Sequence, residues 1–511
     1  MDFLGDLLVP MAEGVALLTR LDLWVIVVAG VAWGLFAGSM PGIGSVLAFG
    51  LVLPFTFGME PLQAVAFLLA ISVAVGFGNS IPAILLSVPG TPAAVLTAID
   101  GFKLHKRGES GLALGVSFFA ALVGQVVSIP FFVLLVVPLS GLAYIFLAPE
   151  IFALYLLGMV AILSLTGKNL LKGLVAAAFG ISIAFIGLDP VNASQRFVFV
   201  PDLIDGFDTT PVVLGLLAVS ELLRQARQTF SWSSMVGSFS AAFPWGRLRE
   251  TAKPIAIGTI VGTLEGAVPG GGSTTAAMIS YQQAQLLSKH PEEFGNGSIE
   301  AIAANESAQN AANSGELIPT LGLGIPGSGS MVLLLAALQV QGLVPGPLLT
   351  QQSPELLHGA VAGMLAATIV LAITGWWISK WLLRALTIDR SVIIIVALAL
   401  VVVGNFALNY RIFDVFTAIL FGVIGYFMLR YGYSVAAAAL AVILARGFES
   451  SLRHGLGIFN DSIVEFLSRP VTAIIVAIAI FFLVIGLRRT IRLEREAAAE
   501  RTRQASLPAD S

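Results

Sequence analysis

The chain has 511 residues, 57% hydrophobic and 11% charged, with a mean hydropathy of +0.93; so little polar surface cannot cover a soluble globule of this size, and a polytopic membrane protein is expected. A net charge of −3 leaves no footprint for nucleic acid, and the absence of cysteine excludes disulfides, thiolate metal sites and iron–sulfur clusters. The four histidines, His105, His290, His358 and His454, lie near loops or segment ends outside any paired ligand motif, so no metal site and no catalytic residue is expected.

Taken in chain order, residues 1–22 form an N-terminal segment with Asp2, Asp6 and Glu13 against Arg20. They lack the positive start of a signal peptide and are expected to be retained. Apolar runs then predict membrane helices near 23–38, 62–78, 111–135, 150–166, 170–187 and 210–224, within a first unit of 23–224. Strands of a porin-type barrel would alternate apolar and polar residues, and no such pattern occurs. Residues 225–253 form a polar connector in which Trp232, Phe243 and Trp245 stand among Arg227, Arg247, Arg249 and Lys253. Aromatics beside basic residues suit the headgroup layer on the cytoplasmic side, a merely solvated loop being the alternative. A second unit, 254–450, carries predicted helices near 254–267, 298–313, 357–379, 391–408, 412–430 and 433–447. A C-terminal membrane helix, 468–487, and a cytoplasmic tail, 488–511, follow. Four apolar pieces, 45–57, 92–104, 274–287 and 330–342, each follow a Pro-Gly break and are too short to span alone, so they read as half-helices.

The two units repeat one another. Gly34-x-x-x-Gly38-x-x-Pro41-Gly42-x-Gly44-Ser45 matches Gly262-x-x-x-Gly266-x-x-Pro269-Gly270-x-Gly272-Ser273 at an offset of 228 residues. Gly78-x-x-Ile81-Pro82 followed by Pro89-Gly90-Thr91 matches Gly315-x-x-Ile318-Pro319 followed by Pro326-Gly327-Ser328 at an offset of 237. The acidic N-terminus suggests a start outside and the basic connector a start inside, which would make the repeats inverted. The basic loop Lys103 to Arg107 does not fit that tracing uniquely. The expected fold is all-α: a polytopic helical bundle of two inverted repeats with broken helices.

A helix break inside hydrocarbon frees backbone groups that cost several kcal/mol each unless protein or water satisfies them, so breaks survive where they are buried or line a cavity. Matched breaks in two repeats point to a midplane substrate site in a secondary transporter. At such a break, proline (Pro41, Pro89, Pro269, Pro326) fits the first helical turn. Glycine (Gly42, Gly44, Gly90, Gly270, Gly271, Gly272, Gly327) lets backbone approach a ligand closely. The resumed helix presents free N–H groups bearing about half a positive charge, which favours anions. Ser45, Thr91, Ser273, Thr274, Thr275, Ser328 and Ser330 stand at or just inside these starts, where each hydroxyl could cap the helix or donate to a carboxylate. Glu306, Asn310 and Asn313, spaced i, i+4, i+7, share one helix face. They could bind Na⁺, carry a proton or form a polar packing seam, with Asn310 also within reach of substrate. Glu265 has no counterpart in the first repeat, and Asp100 closes a half-helix beside the basic loop, an interfacial position.

At this point the chain resembles the large membrane subunit of the tripartite tricarboxylate transporters. The segments that carry the likeness are "GLFAGSMPGIG" (34–44), "SVPGTPAAVLTAIDGFKLHKRGESGLALG" (87–115), "DPVNASQRFVFVPDLIDGFD" (189–208) and "KHPEEFGNGSIEAIAANESAQNAANSGELIPTLGLGIPGSGS" (289–330). The resemblance implies a bacterial inner-membrane symporter, driven by Na⁺ or H⁺ without any other cofactor. It would import a small di- or tricarboxylate delivered by an extracytoplasmic solute-binding protein and work beside a small four-helix membrane subunit. Family members read Pro-Glu-Ala-Ala-Asn-Asn-Ala where this chain has Asn305-Glu306-Ser307-Ala308-Gln309-Asn310-Ala311. Glu306 and Asn310 carry over; Asn305, Gln309 and Glu316 depart and bear on the substrate's identity. The alternatives are a channel or scaffold subunit whose glycines serve only close packing, and an intramembrane enzyme, for which no nucleophile–base pair is legible.

Overall fold

The computed structural model describes residues 3–40, 43–141, 146–165, 170–189, 194–227, 245–269, 272–344, 348–385, 390–484 and 487–488. Pro41, Gly42, Gly270, Gly271, the connector at 228–244 and the tail beyond Arg488 lie outside them. The described chain is almost wholly helical: α1 Phe3–Ala16, α2 Leu21–Ser39, α3 Ser45–Val52, α4 Pro61–Leu86, α5 Ala94–Lys106, α6 Ser110–Gly141, α7 Ala148–Leu165, α8 Leu170–Ala184, α9 Thr209–Leu214 and α10 Ser220–Ala226. There follow α11 Ala252–Ala267, α12 Gly272–Leu287, α13 Ile299–Leu323, α14 Gly329–Val340, α15 Leu349–Gln352, α16 Glu355–Ala385, α17 Arg390–Asn409, α18 Ile412–Arg430, α19 Val435–Ile458 and α20 Ile463–Ser468. A further apolar helix covers Pro470–Val484. Among the described residues six helices, α2, α4, α6, the Glu355–Ser379 part of α16, α18 and α19, are long and apolar enough to cross a membrane. The protein is a polytopic all-α membrane protein.

The predicted half-helices are α3, α5, α12 and α14. Two predicted ends move: α4 and α13 run past 78 and 313, through Pro82 and Pro319, to stops at Ser87 (φ 55°) and Gly324 (φ 72°). A proline inside a membrane helix forfeits one ladder bond, a loss that packed neighbours absorb. Here both prolines close the helix, because Pro82 O accepts from Ser87 N and, at 3.3 Å, from Val88 N, and Pro319 O from Gly324 N and, at 3.0 Å, from Ile325 N, bonds that close around the left-handed residue at each C-terminus. The matched Ile-Pro pairs therefore mark helix ends. α4 begins with Pro61 behind a reciprocal cap between Glu60 and Gln63, and α13 begins where Ser298 accepts from Ala301 N.

The described residues fall into two compact units: 3–145 with 210–426, and 146–209 with 427 onward. In the first, α2 packs along α4 and α11 along α13, while other pairings cross between the repeats: α6 on α13, α16 on α4, α3 against α14, α5 against α12. Lipid tails are as apolar as side chains, so close packing rather than hydrophobicity joins these helices, and small residues permit it. A Cβ at Gly34 would stand 2.6 Å from Ile71 O, and one at Gly262 only 2.3 Å from Ala308 O. Gly38 with Gly78, and Gly266 with Gly315, repeat the contact one turn on. The glycines before each break are thus packing residues. In the second unit α19 packs on α7 and α8, and the hairpin Gly187–Leu188 with Gln195–Arg196 is tied to α19 by charge. Buried Asp189 accepts from Arg196 and, at 2.7 Å, from Arg453, while Arg196 also donates to Glu449 at 2.7 Å. These carboxylates, Glu449 foremost, push the Arg196 guanidinium further above its ordinary pKa.

Candidate substrate and cation site

The breaks position the site. In the first repeat Gly44 is extended and α3 starts at once, its Gly44 O accepting from Ala48 N at 2.9 Å. A Cβ on Gly44 would lie 3.1 Å from Thr91 Cγ2, so the starts of α3 and α5 face one another. Asn79, on α4 between them, is 2% exposed, and its amide oxygen stands where a Cβ on Gly90 would be only 2.3 Å away. Glycine at 90 is what lets that amide in.

The second repeat builds the same arrangement with a different side chain. Position 316 matches position 79, and Glu316, 3% exposed, reaches back between the starts of α12 and α14. Its Oε2 accepts from Ser328 Oγ at 2.6 Å, the Ser273 backbone N–H faces the same carboxylate, and a Cβ on Gly272 (φ 64°) would sit 3.7 Å from Oε1. Gly327 gives room for Glu316 as Gly90 does for Asn79, since a Cβ there would be 2.9 Å from Glu316 Cβ. Ser328 and Ser330 hydroxyls are 3.0 Å apart. The two pairs abut, because a Cβ on Gly329 would lie 3.0 Å from Val46 Cγ2. Gly44, Ser45, Thr91, Ser273, Thr274 and Ser328 are all partly exposed, so these starts are reachable. Thr275, one residue further into α12, is exposed.

A second cluster lies deeper. Glu306 is fully buried, accepting from Ser80 Oγ at 2.6 Å, from Thr97 Oγ1, and from Gln309 Nε2 at 3.4 Å. Asn305 donates to Thr97 Oγ1 at 2.5 Å and to Ala93 O at 3.3 Å, and Asn310 donates to Glu306 O at 3.0 Å. Three buried amide oxygens, of Asn79, Asn305 and Asn310, have no hydrogen-bond donor. Buried acceptors without donors are costly, and the Glu306 carboxylate with the amide oxygens of Asn305 and Asn310 makes an oxygen-rich donor set of the kind a hard monovalent cation takes. Asn313 faces α4 one turn away, where it accepts from Ser72 Oγ at 3.1 Å. Among the described residues no group of three or more His, Cys, Asp or Glu side chains could hold a metal ion.

Glu306, Asn310 and Asn313, grouped by their i, i+4, i+7 spacing, lie on the side of α13 turned toward α4 and α5. Sequence reasoning missed Asn79, Ser80, Thr97 and the place of Glu316. The signal was present for the pair 79 and 316, which follow the matched glycines 78 and 315 directly. Asp100, read as interfacial, is fully buried: it accepts from Tyr281 Oη at 2.9 Å and from the backbone N–H groups of Gly295, Gly297 and Ser298 at 3.2, 2.8 and 2.9 Å. Lys103 donates to Gly295 O and Arg107 to Asn296 O, so α5 holds the segment leading into α13.

Paired breaks in related repeats, with half-buried hydroxyls at their starts and an oxygen-rich cluster beneath, define a membrane protein of the transporter class. The chain belongs to the tripartite tricarboxylate transporter TctA family, whose profile matches residues 24–440. It is 32% identical over 471 residues to an uncharacterized 52.8 kDa protein in the TAR-I ttuC′ 3′ region of Agrobacterium vitis, covering 91% of this chain and 93% of that one. It is 33% identical over 235 residues to an uncharacterized protein in the TAR-II ttuC′ 3′ region of the same organism, covering 46% of this chain and 97% of that one. No solved structure matches.

Proposed function

We propose that the chain is the translocating subunit of a binding-protein-dependent importer of small carboxylates, sited in the bacterial inner membrane and driven by Na⁺ or H⁺ symport. It works with a small four-helix membrane subunit and an extracytoplasmic solute-binding protein. The observation that carries this reading is the meeting of helix starts from both repeats, with Gly329 against Val46 and with Thr91 and Ser328 at equivalent places. Helix starts offer directed N–H groups and a positive end, the recognition a carboxylate needs. Glu306, with Asn305 and Asn310, supplies the coupling-ion site. Packing alone accounts for Gly34, Gly38, Gly262 and Gly266 but not for Gly90 and Gly327, whose missing Cβ atoms make room for an amide and a carboxylate. That difference favours a transporter over a channel or scaffold subunit. The two repeats, inverted, would present the shared site to each side in turn.

Reconstitution of the chain with both partners in proteoliposomes tests this. Accumulation of a carboxylate against its gradient, requiring the binding protein and an imposed Na⁺ or H⁺ gradient, is expected. Passive equilibration without dependence on either gradient would overturn it.

A further inference from the structure

Resting on the transporter reading above, we propose that Glu316 is a tethered counter-anion: it fills the helix-start pair of the second repeat and leaves the first-repeat pair to receive a single substrate carboxylate. The transported molecule is then a small 2-hydroxymonocarboxylate rather than a di- or tricarboxylate.

Two matched receptors meet at the centre of the unit, and they are not in the same state. In the second repeat the Ser328 hydroxyl and the Ser273 N–H, at the start of α12, converge on the Glu316 carboxyl group. Any incoming anion there must displace a carboxylate already held by the chain. In the first repeat, Thr91 takes the place of Ser328 and Gly44 that of Gly272, but the side chain between them is the neutral amide of Asn79. That amide oxygen is 98% buried, aimed at Gly90 and without a donor.

The chemistry follows. The free N–H groups at the start of α3, with the Thr91 hydroxyl facing them, suit one carboxylate. A hydroxyl on the carbon beside that carboxylate can donate to Asn79 Oδ1 and satisfy it. Because Gly329 touches Val46, a second carboxylate on the same small molecule would come up against Glu316, where like charges repel. A polar, uncharged or cationic far end meets no such penalty.

Purified full-length chain in detergent, titrated with lactate, propionate and malate and read by calorimetry or thermal shift, tests the assignment. Wild type should bind lactate on the order of tenfold more tightly than malate, and more tightly than propionate, which lacks the hydroxyl. Glu316→Gln, which keeps size and the Ser328 hydrogen bond, should abolish the preference for lactate over malate. Asn79→Asp, which puts a charge in the first-repeat pair, should abolish lactate binding. Glu316→Ala, checked for monodispersity, should behave as Glu316→Gln. A wild type that prefers malate, or a Glu316→Gln protein with an unchanged preference, would overturn the proposal while leaving carboxylate transport standing. Failure of wild type and both Glu316 variants to respond to any of the three acids would overturn the carboxylate reading itself, and this proposal with it.

Discussion

Two residues of the deep cluster show how far sequence spacing carries. Glu306 and Asn310 were legible because a carboxylate and an amide one turn apart, in a helix of small residues at membrane depth, have few other uses. Their partners were not legible: Ser80 and Thr97 come from α4 and α5, more than 200 positions away, and nothing local marks a serine or threonine as a carboxylate donor. Glu306→Gln keeps the volume and removes the charge. The expected outcome is uptake whose initial rate no longer follows the driving cation. Rates measured against Na⁺ at fixed pH, and against pH at fixed Na⁺, check it, and dependence intact on both axes removes Glu306 from coupling. In the second unit, Asp189→Ala should destabilise the hairpin by roughly 1.5–3 kcal/mol, because Arg196 and Arg453 lose the buried carboxylate they share while Glu449 still pairs with both. The melting midpoint in detergent reads that loss.

Elements were easier to read than their ends. Half-helices announced themselves by length after a Pro-Gly break, and α3, α5, α12 and α14 start within two residues of where the pattern put them. The ends of α4 and α13 were not legible, since Ile-Pro reads as a breaker until the carbonyl of that proline is seen closing the helix. The GxxxG matches were legible as repeats, while their division into packing glycines before each break and glycines serving the site after it required the neighbouring atoms. Gly262→Val tests the packing role. With Ala308 O only 2.3 Å from the new Cβ, α11 and α13 must part, costing about 1–3 kcal/mol. The thermal midpoint should fall, whereas Gly58→Ala, whose Cβ meets nothing, should leave it unchanged.

For the whole molecule, the repeat was the most legible feature and its handedness the least, because loop charge alone sets orientation and the loop at 103–107 pulls against the other signals. The chain has no cysteine, so single-cysteine variants give a clean answer. Gly58→Cys and His290→Cys lie in equivalent exposed loops, before α4 and before α13. Inverted repeats predict that an impermeant maleimide labels them from opposite faces of right-side-out and inside-out vesicles; labelling from one face would make the repeats parallel. The Asp100 junction has a mechanical consequence. By ancestry α5 belongs with α4, yet Asp100, Lys103 and Arg107 fasten it to the approach to α13, and Asn305 grips its first turn. Position 337, where the other copy would carry the same fastening, is alanine. Because α5 also packs on α4, where Gly101 lies against Ile84, it bridges the two copies, and any movement of one copy against the other would have to break either that packing or these bonds.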